Sequence, residues 1–151
     1  PGLNRVFQNG GIGYVPRSEI AAGSSLVDTW KIFISKAYGA GNSFPHSIIG
    51  KPFIGKPGDI CTDTYLAIGP FPSQEQAKNA MAYMSTRLFR FLVMLRKPSQ
   101  DASRNVYGFV PNQDFSSPLS EESLAERYGL LPKELEFIHS LIRPMELEND
   151  K

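Results

Sequence analysis

Between the turn GPFPS and Pro98, Ala77, Met81, Met84, Leu88, Phe91 and Leu95 recur with heptad spacing. At 100° per residue they fall within an arc of about 80°, one apolar stripe on one long helix. A helix with such a stripe must lay it against another layer, so the rest of the chain has to supply one. Ser73 and Gln76 are set as a capping box at its start, and Pro98 ends it. Phe89, Val93 and Met94 lie off the stripe, which packs the last turns between layers. Arg90 and Lys97 point nearly opposite the stripe, with Arg87 at its edge.

The partner layer is legible as strands. VDTWKIFISKA places Trp30, Ile32 and Ile34 on one face and Lys31, Phe33 and Ser35 on the other, the period of two of a half-buried strand. DICTDTYLAIG reads as a second strand, apolar on both faces in its second half and therefore central. VYGFVP reads as a third. The Gly/Asn-rich start, NRVFQNGGIGYVP, reads as a loop, and the unit IGKP, repeated at Ile49 to Pro52 and Ile54 to Pro57, suits turns. Two short helices close the chain, Ser120 to Tyr128 before Gly129 and Pro132 to Arg143 before Pro144. The expected fold is α+β, a small twisted, mostly antiparallel sheet packed on one long helix. The chain has 151 residues, the length of a single domain. A domain of that size buries roughly 70% of the surface its unfolded form exposes.

Charge divides the chain unevenly. Residues 1–113 hold 12 Lys/Arg against 6 Asp/Glu, whereas residues 114–151 hold 4 against 9. A basic sheet-and-helix body over 12–113 thus precedes an acidic helical tail over 114–145. The densest run lies between Tyr83 and Tyr107, with Arg87, Arg90, Arg96, Lys97 and Arg104 against the single acid Asp101. Cations interleaved with aromatic residues point to a polyanion, of which nucleic acid is the commonest.

Motifs for catalysis are absent from the sequence. GGIGY and GAGN lack the GK[ST] ending and the strand-loop-helix setting of a phosphate cradle, and no GxSxG occurs. Cys61 lies in a strand-like run, which reads as a buried reduced thiol. His46 and His139 are far apart and without the company a metal site needs. No apolar run nears the roughly 18 residues that cross a bilayer, so the expectation is a cytoplasmic protein with no membrane partner. The start at Pro1 reads as the interior of a larger chain.

Taken in succession, WKIFISKAYGAG, CTDTYLAIGPF, YMSTRLFRFLVMLRK, VYGFVPNQDF and PLSEESLAERYGLLPKELEFIHSLIRP resemble the C-terminal region of bacterial restriction-modification proteins that fuse an adenine-specific DNA methylase to a TaqI-like specificity domain. The resemblance runs from about residue 12 to 145. It implies a DNA target-recognition domain that lends sequence specificity to methylase or nuclease domains elsewhere in the parent. It favours as DNA-facing the strand and loop from Lys31 to Asn42, which includes Lys36, together with the Lys51/Lys56 loop, Thr62, Thr64 and the segment from Arg87 to Arg104. It also implies that this chain itself holds no cofactor, the parent using S-adenosylmethionine and possibly Mg²⁺.

Side-chain chemistry divides the work. Lys51, Lys56, Arg87, Arg90 and Lys97 suit phosphates, where flexible cations supply affinity. Arg104, Asn42, Asn105 and Gln113, beside strands, suit base edges through forked or amide groups. Two other readings stay open, a protein-interaction module docking on the parent's other domains and a nuclease with an unrecognised motif.

Overall fold

The computed structural model describes residues 2–37, 44–96 and 103–147. The α+β expectation holds, with mostly antiparallel strands, but the strands sort into two sheets rather than one. The N-terminal stretch expected as a loop is a hairpin, β1 (Leu3–Gln8) and β2 (Gly11–Pro16), in register from Leu3↔Pro16 to Gln8↔Gly11. Asn9-Gly10 is its two-residue turn, and Gly10 at φ 92° supplies the left-handed backbone at the second position. The glycines that suggest a loop are therefore the hairpin's own turn chemistry.

The expected second strand is cut in two by the turn Thr62-Asp63-Thr64, closed by Tyr65 N–H donating to the Thr62 carbonyl at 3.1 Å. Three further strands, β3 (Trp30–Ser35), β4 (Phe53–Gly55) and β5 (Ile60–Cys61), precede that turn, and β6 (Tyr65–Phe71) follows it. β5 pairs in parallel with β1, giving the sheet β2-β1-β5. β6 pairs antiparallel with β3, giving the sheet β4-β3-β6. The central strand of that sheet is β3, and β6 forms its edge.

Both faces of β3 are covered, which corrects the half-buried expectation. Ile32 and Ile34 join the main apolar core with Ala80, Met81 and Met84. Phe33 turns the other way and meets Phe7 and Phe53, ring centroids 5.5 and 5.6 Å apart, so an aromatic cluster joins the two sheets. Gly55 is obligatory there, because a Cβ would lie 2.5 Å from a Phe33 ring carbon and 2.8 Å from Lys31 Cγ. On the same face Lys31 is buried, its Nζ donating to the carbonyls of Val27, Lys56 and Asp59 at 3.0, 3.0 and 2.8 Å. Three acceptors for three N–H groups satisfy the ammonium locally. Burial nevertheless pushes its pKa down.

The long helix is broken. α1 (Gln74–Ser85) starts at Ser73, whose Oγ accepts from Gln76 N–H at 3.1 Å, the expected N-cap. Thr86 then takes an extended ψ of 150°, and α2 (Arg87–Arg96) begins afresh. The Thr86 hydroxyl donates to the Tyr83 carbonyl at 2.7 Å and accepts from Phe89 N–H at 3.2 Å, closing one helix and capping the next. The break resets the helical phase. Phe89 and Val93, off the stripe, are buried, while stripe residue Leu95 is 55% exposed.

Arg90 is carried inward by the same shift, against the expectation that it faces solvent. Its Nε and Nη2 donate to the Ser85 carbonyl at 3.2 and 2.9 Å, its Nε also reaches Thr86 O, and its Nη1 reaches Ser47 O at 3.4 Å. The Ser85 carbonyl has lost its helical donor, since Phe89 N–H is given to the Thr86 hydroxyl. The guanidinium replaces that donor.

VYGFVP is largely a 3-10 helix, Arg104–Phe109, rather than a strand. It packs on α2, with Arg96 stacked over Phe109 at 5.1 Å and Val106 buried in the core. Local bonds, Val106 N–H to Ser103 O and Val110 N–H to Tyr107 O, meet backbone needs that a strand would have met through a neighbour. The acidic tail forms α3 (Glu121–Arg127) and α4 (Pro132–Leu141). Leu124, Ile138 and Ile142 of this tail join the same core as the body.

Candidate nucleic-acid interface

Cations in this fold divide by what already holds them. Arg5 pairs with Asp59 through two bonds of 2.9 and 2.7 Å, and Arg17 with Asp28 through two of 2.7 and 2.6 Å. Lys36 pairs with Asp63 at 2.6 Å, which holds that carboxyl below its usual range. Arg87 lies 3.8 Å from Glu121, whose other oxygen accepts the Arg87 backbone N–H. Lys31 and Arg90 are interior. A phosphate can reach neither, so the expectation that they face DNA fails on access.

Within the basic body, Lys51, Lys56, Arg96 and Arg104 are exposed and have no ion pair among the described residues. Lys51 and Lys56 stand on either side of β4, as the IGKP repeat arranges. The backbone around Lys56 is fixed from both ends, its N–H donating to Asp59 Oδ2 at 2.9 Å and its carbonyl accepting from Lys31. Arg96 ends α2, and Arg104 opens the 3-10 helix beside exposed Asn105.

The other expected contacts are more tied. Lys36, Thr62 and Thr64 gather at the turn between β5 and β6, where the two hydroxyls lie 2.8 Å apart and Lys36 N–H donates to Thr64 O at 3.1 Å. Gln113 is bonded into the tail, its amide donating to Tyr128 Oη at 2.7 Å and its carbonyl accepting from Arg127. A base edge would have to displace both bonds. Asn42 and Lys97 lie outside the described residues, as does Pro98.

Beside Arg104 opens a cleft of about 530 Å³, bounded by the outer edge of β6, the α1–α2 corner and the 3-10 helix. Its lining includes Tyr107, whose hydroxyl is buried without a hydrogen-bond partner. Burial pushes the Tyr107 pKa up to about 12. Cys61 is half-buried, and burial raises its thiol pKa, which makes it a poor nucleophile. Among the described residues no group of three His, Cys, Asp or Glu side chains is placed to hold a metal ion, and no helix is long and apolar enough to cross a membrane.

Sequence reasoning does not find Lys31, Arg5 and Asp59 as a structural set, nor Asn112 as an exposed polar group lining the cleft. Arg96 sits in the densest cationic run, and only the phase of α2 tells it apart from buried Arg90. Comparisons of the chain with protein-family models, with curated proteins and with solved structures found no match.

Proposed function

We propose that this chain is a DNA target-recognition domain, binding duplex DNA beside the catalytic domains of a restriction-modification parent. The observation that carries the reading is the sorting of the cations. The acids Asp28, Asp59, Asp63 and Glu121 are matched by Arg17, Arg5, Lys36 and Arg87, while Lys51, Lys56, Arg96 and Arg104 stay exposed and without an ion pair among the described residues. The resemblance to TaqI-like specificity regions supports the same reading.

In this account Lys51, Lys56 and Arg96 meet phosphates and fix register, supplying affinity with little sequence information. Arg104 and Asn105 read base edges from a short 3-10 helix anchored by Val106. Catalysis, with S-adenosylmethionine and possibly Mg²⁺, belongs to the parent's methylase or nuclease domains, and the setting is cytoplasmic.

A mobility-shift comparison tests the division. Lys51→Ala with Lys56→Ala should weaken binding to every sequence alike and flatten the salt slope by roughly one unit per cation. Arg104→Ala should instead relax one base position by about 1–3 kcal/mol. Duplex affinity untouched by all three changes would refute the proposal.

A second reading, a docking module, rests on the hairpin. Cross-strand pairing puts Leu3, Ile12 and Tyr14 on one face with Phe7, whose ring already meets Phe33 and Phe53. Of these, Leu3 is 59%, Ile12 51% and Tyr14 64% exposed. In the intact parent the exposed Leu3, Ile12 and Tyr14 would lie against a neighbouring domain.

A further inference from the structure

The cleft beside Arg104 has the volume of a small-ligand site and an unusual wall. It encloses about 530 Å³. Small-molecule sites usually span roughly 300 to roughly 1000 Å³. Five aromatic rings run through it in continuous contact. Phe71 meets Phe115 at 6.0 Å, Phe115 meets Tyr83 at 6.0 Å, Tyr83 meets Phe89 at 5.1 Å, and Phe89 meets Tyr107 at 6.1 Å between centroids. Tyr83 and Phe89 are buried, whereas Phe71, Tyr107 and Phe115 are only half-buried and leave ring surface on the cleft.

Besides the Tyr83 and Tyr107 hydroxyls, polar groups reach the cleft from two places. Arg104 and Asn112 line the cleft with exposed side chains that bond to no other side chain among the described residues. The residues from Leu66 to Gly69 supply the second set, because β6 pairs with β3 along one edge and the cleft lies against the strand. An edge strand keeps part of its backbone N–H and C=O groups unpaired. An aromatic wall, a backbone edge, one amide and one guanidinium are thus brought together in one concave site.

We infer that this cleft binds a nucleotide, its planar base laid on the exposed aromatic rings and its phosphate held by Arg104. Stacking on aromatic faces accepts any base, while Asn112 and the β6 backbone can pair with a base edge. Guanidinium is the side chain best shaped for a phosphate. An extended peptide fits less well, since Pro70, between the cleft-lining residues Gly69 and Phe71, has no N–H to offer and interrupts the edge a peptide would pair with. The nucleotide can come free from solution or unstacked from DNA. The inference does not depend on duplex binding through Lys51 and Lys56, which line no part of the cleft; exposed Arg104 holds the phosphate when the cleft is filled and is free for a base edge when it is empty.

The test is an amide chemical-shift titration of the whole chain with two kinds of ligand. One arm uses the four deoxynucleoside 5′-monophosphates, with inorganic phosphate as control. The other compares a duplex carrying a single unpaired nucleotide with its fully paired counterpart. Shifts at Ala67, Ile68 and Asn112 are expected, saturating near 1 mM for a mononucleotide, a scale of about 4 kcal/mol for so small a ligand. Arg104→Gln should weaken that binding about tenfold, the effect of losing one charge-assisted bond. Response to mononucleotides identifies a free-nucleotide site, and response only to the unpaired nucleotide in DNA identifies a site for an unstacked base. The inference is overturned if neither ligand moves those amides, if inorganic phosphate alone moves them equally, or if Arg104→Gln changes nothing. A duplex whose affinity depends on Lys51 and Lys56 while the amides of Ala67, Ile68 and Asn112 stay unshifted by it and by mononucleotides would overturn it and leave the target-recognition proposal standing.

Discussion

Arg90→Ala should destabilise the fold severely, although Arg90 sits in the most cationic stretch of the chain. The substitution strips the guanidinium N–H groups from the carbonyls of Ser85 and Ser47. A buried acceptor left unsatisfied costs about 1–3 kcal/mol. Truncation also removes an apolar stem, at roughly 0.8 kcal/mol per buried methylene. Relief of the guanidinium's own desolvation offsets part of both, so a net loss of about 3–5 kcal/mol is expected, the usual size for breaking up a buried charged group and its partners. For a domain of this size that lowers Tm by roughly 6–20 °C, at about 2–4 °C per kcal/mol. Urea unfolding of Arg90→Ala and Arg90→Met separates the parts, because methionine restores packing but not donors. If Arg90→Ala unfolds within about 0.5 kcal/mol of the parent protein, as an ordinary surface change would, the helix runs unbroken through Thr86 and Arg90 faces solvent.

Three further outcomes follow from the packing. Phe89→Ala should cost about 3–5 kcal/mol in denaturant unfolding while Leu95→Ala stays near zero, the reverse of a continuous heptad stripe. Lys31→Ala should cost about 3–5 kcal/mol and speed hydrogen exchange at Gly58, because the tie between β3 and the turn before β5 is lost. The Gly58 N–H reports on that tie through its bond to Val27 O at 2.7 Å. Tyr107 keeps its proton to about 12 in the folded chain. An unfolded tyrosine loses its proton near 10, so the Tyr107 contribution is complete below about pH 10 and is lost as pH rises through 12, a fall of about 2–3 kcal/mol. Tyr107→Phe should abolish that fall and, by removing an unpartnered hydroxyl, leave stability at neutral pH unchanged or raised by about 1 kcal/mol. Ultraviolet titration of tyrosinate together with pH-dependent unfolding would decide it.

Local chemistry makes part of this fold readable and long-range pairing hides the rest. Ser73 as N-cap, the alternation of β3 and the two terminal helices are short-range patterns, and each is present. The hairpin is hard to read because glycines that serve its turn also resemble a loop's. Whether Val106 to Val110 becomes a strand depends on a neighbour to pair with, and packing against α2 leaves most of it a 3-10 helix instead. Only Ser85-Thr86 in mid-stripe signals the helix break, through the preference of threonine for caps. That one residue decides the burial of Arg90 and the exposure of Leu95. Exposed Lys51, Lys56, Arg104 and Asn105 are legible because turn sequences hold side chains at the surface. Lys31 is not, because a strand's alternation says which face a lysine takes but not whether a second sheet covers it.

The salt dependence of duplex binding bears most directly on the central claim. Phosphate contacts from Lys51, Lys56 and Arg96, at roughly −0.9 each, predict that log K falls against log[salt] with a slope near −2.7. A slope near zero, or no measurable duplex binding at low salt, would contradict the account.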